Sequence, residues 1–498
     1  MKRSLQNLSH EVKLTCNMGE LIPVGLVEMV PGDVFRHNSS VLLRTQPLFA
    51  PLMHRVDVSI RHFFVPKRLV WSEFEDFITG GLDGTAAPVP PYVTTPASTG
   101  FAIGSLADYL GVPTGVPDIQ VSAEPFRAYD LIVNQYYQDE QLQTPLTIST
   151  ASGSDTTTSQ DLQNGCWQKD YFTAARPSPQ LGSEVTIPLT GDAPVIGIGK
   201  NTQVFATGPV NAYETDGSGT TSYADYSAIN DANADNRYFI EEDPDNAGYP
   251  NIRADMSQVS ALDIEQLRLA SALQRFKEKM NRFGARFPEF IRSMYGVTSP
   301  DARLQIPEYL GGGRSTIQFS EIVQTAEGTD PVGELRGHGL ATGKSNHYKF
   351  HAPEFGFVIT MMCVRPKTDY SQGLHKLWSR TTKYDYLMPD FAHLGDQEVL
   401  NKEIYMAHTT PDGTFGFTPR YDEYRYQPNR FAGEFRDTLD YWHMGRLFAS
   451  DPSLNEDFVV SNPTNRVYAT SADQLQIRVI HSLKAKRPLP KTARPMLY

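Results

Sequence analysis

The sequence is poor in cysteine and contains no long hydrophobic run. Its three cysteines, Cys16, Cys166 and Cys363, are odd in number and far apart, which argues against a disulfide framework and a clustered thiolate metal site. The N-terminal stretch lacks the apolar core of a secretory signal, and no later segment approaches the ~20 apolar residues of a membrane span. The sequence therefore predicts no membrane insertion and three buried, unreactive thiols.

The sequence also lacks motifs that point to catalysis or to a bound metal. The segment GHGLATGKS (Gly337–Ser345) resembles a phosphate-binding loop, but its glycine spacing does not fit GxxxxGK[ST] and a polar stretch precedes it. His347 and His351 are four residues apart, with His338 nearby, yet Pro353 favours an extended segment over the helix of a zinc motif. No GxSxG or HExxH sequence occurs. We therefore predict no enzymatic activity, no cofactor and no metal.

The residues that are present point to a β-rich fold. The 35 prolines, 37 glycines and 11% aromatic residues suit many short strands and turns. Apolar residues alternate along Val56–Phe64 and Leu475–Leu483, and Phe355–Val364 is a continuous apolar run typical of a buried strand. Short helices are predicted over Ser72–Thr79 and Ser122–Tyr137. Strands near both ends of the chain predict one antiparallel β unit with long insertions.

A longer amphipathic helix is predicted over residues 257–283, ending at Gly284. One face carries the apolar residues Val259, Leu262, Leu269, Ala270, Leu273, Phe276, Met280 and Phe283. The opposite face carries the basic residues Arg268, Arg275, Lys279 and Arg282. This basic face is interpreted either as a surface that faces solvent or another subunit, or as a helix that lines DNA.

The negative charge is concentrated in one polar segment, residues 190–250. This segment has ten acidic residues against two basic ones, so about two thirds of the chain's net charge of −12 lies there. The net charge argues against the whole chain being a nucleic-acid binder, because its field repels phosphates. The concentration in one predicted surface insertion leaves other faces free to be basic.

The C-terminal segment HSLKAKRPLPKTARPMLY is the one concentrated basic stretch after the last predicted strand. It has no acidic residue, and its basic residues are Lys484, Lys486, Arg487, Lys491 and Arg494. The interspersed prolines keep a chain extended, so each cation can reach a separate phosphate. Residues 484–498 are therefore predicted to form a basic tail that contacts packaged DNA, docks on another subunit or only improves solubility.

Several long strings of this sequence resemble the major capsid proteins of the Microviridae, the small single-stranded DNA phages, and most closely their gokushovirus branch. These strings are MGELIPVGLVEMVPGD (18–33), PLFAPLMHRVDVSIRHFFVPKRLVW (47–71), GVTSPDARLQIPEYLGGGRSTI (296–317), VRPKTDYSQGLHKLWSR (364–380), FAHLGDQEVLNKEIY (391–405) and YRYQPNRFAGEFRDTLDYWHMGRLF (424–448). They cover both the N-terminal part and most of the chain after residue 256.

The resemblance implies an all-β core, an eight-stranded antiparallel jelly-roll β-sandwich of the viral capsid type, with long, partly helical loop insertions. It implies one jelly-roll domain over 1–498, in which 190–250 forms a protrusion near the threefold axes. Candidate host-facing residues there are Asp216, Tyr223, Tyr226 and Asp235.

The resemblance also implies assembly on the simplest (T=1) icosahedral lattice, as a homo-oligomer with pentamer intermediates. The implied partners are circular single-stranded DNA, a small basic DNA-binding phage protein, a scaffolding protein and a receptor on the host surface. The protein is expected in the virion, and in the bacterial cytoplasm during assembly.

Two other functions remain open from the residues alone. A β-sandwich carbohydrate-binding protein would use the tyrosine-rich acidic insertion for recognition. A β-sandwich glycosidase would need two carboxylates at a defined separation, which sequence does not reveal.

Overall fold

The computed structural model describes residues 3–187, 263–323, 325 and 335–490, together with short pieces of backbone between 193 and 256. The chain divides into two compact units. Residues 3–181 and 278–490 form the first unit, and the described residues of 182–277 form the second. The predicted acidic insertion belongs to the second unit, and most of its residues lie outside the described part of the chain.

The strands, numbered along the chain, are β1 (Ser4–Asn7), β2 (His10–Cys16), β3 (Leu21–Met29), β4 (Val34–Thr45), β5 (Val56–Pro66), β6 (Tyr92–Thr94), β7 (Gln120–Ser122), β8 (Val195–Ile196), β9 (Ile198–Lys200), β10 (Ala212–Tyr213), β11 (Thr220–Thr221), β12 (Tyr238–Ile240), β13 (Arg253–Ala254), β14 (Glu308–Thr316), β15 (Gln318–Val323), β16 (Leu335–Lys344), β17 (Tyr348–His351), β18 (Gly356–Pro366), β19 (Asp396–Leu400), β20 (Thr414–Pro419) and β21 (Leu475–Arg487).

The α-helices are α1 (Lys67–Val70), α2 (Phe74–Thr79), α3 (Leu106–Leu110), α4 (Glu124–Tyr136), α5 (Ile264–Phe283), α6 (Phe287–Tyr295), α7 (Asp301–Leu304), α8 (Asn401–Ile404) and α9 (Glu456–Val459). Short 3₁₀ helices lie between residues 376 and 442. Among the described residues, no helix combines the length and the apolar character that crossing a membrane requires.

Two antiparallel sheets dominate the first unit. The seven-stranded sheet has the order β1-β21-β4-β16-β15, with β2 paired to β21 and β17 paired to β4. The four-stranded sheet has the order β14-β5-β18-β3. Smaller two-stranded sheets pair β6 with β7 and β19 with β20. In the second unit, three short pairs join β8 to β13, β9 to β12 and β10 to β11.

The two large sheets pack face to face around the main hydrophobic core. The seven-stranded sheet contributes Val41, Leu43, Ala341, Ile477 and Val479, and the four-stranded sheet contributes Ile22, Val24, Val58, Ile60, Met362 and Val364. Burial of these aliphatic side chains on both sides is the main force that holds such sheets together.

The four-stranded sheet is covered on its second face as well. Phe63, Ile359 and Met361 of this sheet pack with Phe126 and Ile132 of α4 in a second core. Burial on both faces explains why β18 reads as a continuous apolar run, whereas β21, buried on one face, alternates buried and exposed residues over its whole length. The outer face of the seven-stranded sheet is thus left open to solvent.

Most of the elements predicted from sequence are present, with two changes of extent. Helices α2 and α4 and strands β5 and β18 confirm the predicted elements. Strand β21 continues to Arg487, so Lys484 and Lys486 lie on a strand and not in a loose tail. The long helix is described from Ile264 to Phe283, while residues 257–262 lie outside the described part. Its apolar face is largely exposed, since Leu269 is 69% and Phe283 56% exposed.

Candidate nucleic-acid interface

A basic surface covers the outer face of the seven-stranded sheet. Eight exposed basic side chains point outward from its strands: Lys13, Arg36, Arg44, Lys344, Lys349, Arg478, Lys484 and Lys486. In the described part of these strands, Glu11 is the one acidic residue at an outward position. We call this surface the basic sheet face. It is strongly cationic although the chain as a whole is acidic.

The strand register places several of these cations side by side. Arg36 of β4 lies directly opposite Lys349 of β17 on one side and Lys484 of β21 on the other. Lys13 of β2 likewise lies opposite Arg478 of β21. Like charges at directly opposed positions of a sheet repel and destabilise it. The Lys349–Arg36–Lys484 row is therefore unfavourable in the isolated subunit and becomes favourable when a polyanion covers it.

One cation of the face is partly neutralised within the sheet. Arg478 donates to Glu11 at 2.6 Å and 3.1 Å, and the contact lowers the pKa of the Glu11 carboxyl. Both side chains are exposed, so this ion pair adds little stability.

Arg487 departs from the pattern of Lys484 and Lys486. Its guanidinium turns to the other side of the sheet, where it lies 3.1 Å from the buried carboxylate of Asp33 and over the ring of Phe35. It also donates to the carbonyl of Glu28. The sequence predicts Arg487 as a DNA contact, but the structure uses it as the partner of a buried charge.

The other residues that the sequence singles out lie outside the described residues. These are Lys491 and Arg494 of the tail and Asp216, Tyr223, Tyr226 and Asp235 of the acidic insertion. Their assignment to DNA and to the host surface remains a prediction.

A cleft of about 1100 Å³ opens at one end of the basic sheet face. Lys13, Arg44 and Arg478 line one side, and residues around Tyr109 line the other. The Tyr109 hydroxyl donates to the Thr15 carbonyl at 2.8 Å and so ties the α3 region to β2. Glu20, Asp108 and Asp473 also line the cleft, so it is a concave site of mixed charge that is large enough for a chain segment.

A cluster of histidines lies between the two sheets, beneath the basic sheet face. The Nε2 atom of His37 lies 3.1 Å from Nδ1 of His481, and its Nδ1 lies 2.9 Å from the Tyr348 hydroxyl. His62 packs against His37 with ring centroids 4.8 Å apart and bonds Thr360 through Nδ1 at 2.9 Å.

These three histidines are held neutral. Burial, followed by the neighbouring histidines, lowers the pKa of His37 to about 2, and burial and His481 lower the pKa of His62 to about 3. Burial also lowers the pKa of His481 to about 4, although its bond to the Val24 carbonyl opposes the shift. The other groups in contact, Tyr348, Thr360 and Ser39, carry no negative charge that would favour protonation.

The remaining candidate motifs have structural roles. Gly337–Lys344 lies within strand β16, without the helix that a phosphate-binding loop needs. The three thiols are unpaired; Cys16 and Cys363 are buried and Cys166 is partly buried. Among the described residues, no group of three histidine, cysteine or acidic side chains is arranged to hold a metal.

Sequence reasoning missed both the basic sheet face and the histidine cluster. Each is assembled by strand register from residues hundreds of positions apart, such as Arg36 and Lys484. A usable signal existed, since the alternation of β21 continues past Leu483 with Ala485 buried and Lys484 and Lys486 exposed. Extending the period-two pattern would have placed those lysines on the strand.

The comparisons with known proteins agree with one another. The model of the family described as "Capsid protein (F protein)" matches residues 1–497. The chain is 35% identical to capsid protein VP1 of Bdellovibrio phage phiMH2K, over 92% of this chain and 88% of that protein. It is 34% identical to VP1 of Chlamydia phage 1, over 94% of this chain and 91% of that protein. It is 30% identical to VP1 of Spiroplasma virus 4, over 99% of this chain and 95% of that protein.

Proposed function

We propose, from the premise that this chain belongs to the phage capsid protein (F protein) family, that its copies assemble into a T=1 icosahedral shell around single-stranded DNA. The chain is a major capsid protein, a structural molecule located in the virion and not an enzyme. Family membership thereby replaces the carbohydrate-binding and glycosidase alternatives.

The connectivity of the two large sheets supports a jelly roll. Counted along the chain, β2, β3, β4, β5, β14, β16, β18 and β21 are eight strands, and they pair as first with eighth, second with seventh, third with sixth and fourth with fifth. This is the connectivity of a double-Greek-key jelly roll, in which four antiparallel pairs are nested along the chain and divided between two facing sheets. The proposed fold for this core is therefore an eight-stranded jelly roll, with β1, β15 and β17 added to one sheet.

The basic sheet face is the observation that carries the DNA part of the proposal. Its cations are exposed, adjacent and nearly without acidic neighbours, whereas the chain has a net charge of −12. A phosphate backbone relieves this local repulsion and releases its own counterions on binding. The face is then the inner surface of the shell, and residues 484–498 add to it.

The remaining partners follow from the same arrangement. The cleft beside the basic sheet face suits a segment of the small basic phage protein, because Glu20 and Asp473 lie among its lining residues. The acidic insertion, residues 190–250, is proposed to face outward and to meet the host receptor, since it would repel packaged DNA. Assembly is proposed to occur in the bacterial cytoplasm through pentamers, with a scaffolding protein.

The assembly proposal is tested by expressing the chain alone and with its small basic partner and scaffolding protein. Light scattering and negative-stain imaging measure particle mass and shape, and absorbance measures nucleic-acid content. We expect closed particles of sixty copies that retain DNA. Persistent monomers in every combination would refute the proposed shell.

The DNA surface is tested by removing two cations that face each other, in the variant Arg36→Gln/Lys484→Gln. If both contact phosphates, the slope of log affinity for single-stranded DNA against log salt falls by about 1.4. The thermal stability of the subunit is expected to stay the same or rise, because the variant removes a like-charge pair. Filter binding over a salt series and thermal melting provide the two readouts.

The matched control is Arg268→Gln/Arg275→Gln on helix α5, which changes the net charge by the same amount. These two exposed arginines belong to the helix that the sequence offers as an alternative DNA surface. An unchanged salt slope in the control together with a reduced slope in the sheet variant supports the proposal. The reverse result would assign DNA binding to the helix.

A further inference from the structure

Helix α6 (Phe287–Tyr295) is strongly amphipathic but buries none of its residues. Its apolar side chains follow the spacing of a single stripe: Phe287, Phe290, Ile291, Met294 and Tyr295. Phe287 is 65% and Tyr295 72% exposed. Phe290, Ile291 and Met294 are half-buried. An apolar stripe of this kind normally faces a core, so among the described residues the two ends of the stripe, Phe287 and Tyr295, are left mostly uncovered.

Polar bonds, not apolar packing, hold the start of α6 in place. The guanidinium of Arg286, the residue before the helix, donates to the carbonyls of Asn134 at 2.9 Å and of Gln135 and Gln138 at 3.2 Å. These carbonyls belong to the end of α4 and the residues after it, where unpaired carbonyls need donors. Arg286 therefore fixes the start of α6 to a buried helix of the core.

A second set of bonds fixes the turn that leads into α6. The carboxylate of Glu140 accepts from the backbone N–H of Ala285 at 2.5 Å and of Arg286 at 3.1 Å. The turn passes through Gly284 with φ of +97°, and the helix ends at Gly296 with φ of +70°, both favourable for glycine. A nine-residue helix is not stable alone in water, so the hydrogen bonds of Arg286 and Glu140 hold α6 in place on the core.

We infer that the apolar stripe of α6 is a contact surface for a second copy of this chain. This inference rests on the proposed shell and names one of the surfaces that closes it. A capsid subunit contacts many identical copies. A contact surface that is already held in its bound conformation costs less free energy to bind.

The size and charge of the stripe fit that partner. A fully buried aromatic side chain contributes roughly 150 to 250 Å². Phe287 and Tyr295 are 65% and 72% exposed, so they supply about a third of the ~800 Å² that each side of a stable interface buries. The helix carries Glu289 beside Arg286 and Arg292, a mixed charge that does not favour a polyanion. The stripe is therefore expected to bind an apolar surface on another copy of this chain.

Assembly of the variant Phe287→Glu/Tyr295→Glu tests the inference. The double variant is expected to melt at the same temperature as the unmodified subunit, because both side chains are mostly exposed, and to need at least tenfold more protein to form shells. Arg292→Glu, on the polar side of the same helix, is the matched control and is expected to assemble normally. Normal assembly of the double variant would overturn the inference.

A thiol at Tyr295 gives a second readout that does not depend on losing assembly. In Tyr295→Cys, the new thiol should react quickly in free subunits and slowly in shells made of this chain alone, with the unmodified chain giving the background from Cys166. Slow reaction in the free subunit would mean that another part of this chain covers the stripe. Fast reaction in shells, or protection only when a second viral protein is present, would equally overturn the inference. Failure of the unmodified chain to form shells would instead count against the proposed function.

Discussion

Between pH 7 and pH 5, the buried histidine cluster is expected to remove nearly 6 kcal/mol from the free energy of unfolding. His37, His62 and His481 have folded pKa values of about 2, 3 and 4, against about 6.5 in the unfolded chain. Their neutral forms therefore stabilise the fold fully above pH 6.5. That contribution is lost as the pH falls, because the unfolded chain takes up protons that the folded chain does not. The loss by pH 5 is nearly 2 kcal/mol for each histidine.

A buried carboxyl acts in the opposite direction. Burial, with Asp155 and Asp161 nearby, raises the pKa of Asp130 to about 8, so this group favours the folded state increasingly as the pH falls from 8 toward 4. Its gain between pH 7 and pH 5 is about 3 kcal/mol. The net loss from these four groups is then about 3 kcal/mol, a large part of the stability of a typical domain.

The cluster's share is isolated by comparing pH profiles of variants in urea unfolding. His62→Gln removes one titrating group, so its stability should fall less steeply between pH 6 and pH 5, by about 1.4 kcal/mol per pH unit. His351→Gln, at an exposed position of β17, is the control and should follow the unmodified protein. If the profiles of His62→Gln and the unmodified protein were parallel, His62 would not contribute to the pH dependence of stability, and the prediction would be wrong.

The histidine cluster also illustrates what sequence patterns reveal and what they miss. Periodicity predicted β5, β18 and α4, because each of these elements buries side chains in a pattern that its own residues carry. His37, His62 and His481 come from three strands far apart in the chain, and only the pairing of β21 with β4 and the stacking of the sheets unite them. Local reading instead singled out His338, His347 and His351, which are close in sequence.

The same limit applies to the surfaces. The basic sheet face depends on which residues lie opposite each other, and sequence fixes neither strand order nor register. For α5, the apolar periodicity correctly predicted a helix, but it does not reveal what that apolar face contacts, and in the structure Leu269 and Phe283 of this face are exposed. In a subunit that assembles, an apolar helix face can also bind another subunit. The sequence of one chain does not distinguish this case from packing against the chain's own core.

The second large effect is expected at the ion pair between Arg127 and Asp155, where Arg127→Met should lower the free energy of unfolding by about 3 to 5 kcal/mol. Both side chains are almost fully buried and Nε lies 2.7 Å from the carboxylate. The guanidinium also donates to the carbonyls of Val70 and Ala151 at 2.9 Å. It thus joins α4 to the end of α1 and to the loop that carries Asp155, and its loss leaves a buried charge and two carbonyls without donors.

Hydrogen bonds keep the carboxylate of Asp155 ionised beside Arg127. Burial alone would raise its pKa, but hydrogen bonds from Thr158, Arg127 and Thr157 outweigh burial and lower the pKa to about 2. The pair therefore contributes stability at any pH well above 4 and loses it only as the pH falls toward 2. Its effect is separable from that of the histidines, which act between pH 7 and pH 4.

A double-mutant cycle measured by urea unfolding at pH 7 distinguishes the ion pair from simple packing. In Asp155→Asn, the amide oxygen can still accept from the backbone N–H groups of Thr157 and Thr158, but the NH2 group that replaces the other oxygen cannot accept from the Thr158 hydroxyl. The combined variant Arg127→Met/Asp155→Asn leaves no buried charge behind at this pair. We expect the combined variant to be more stable than Arg127→Met alone, because the cost of the single change comes mainly from the stranded carboxylate. If the two single changes add without coupling, the loss at Arg127 comes from its contacts with the carbonyls of Val70 and Ala151. The arginine would then hold α1 and the loop in place independently of the charge at Asp155.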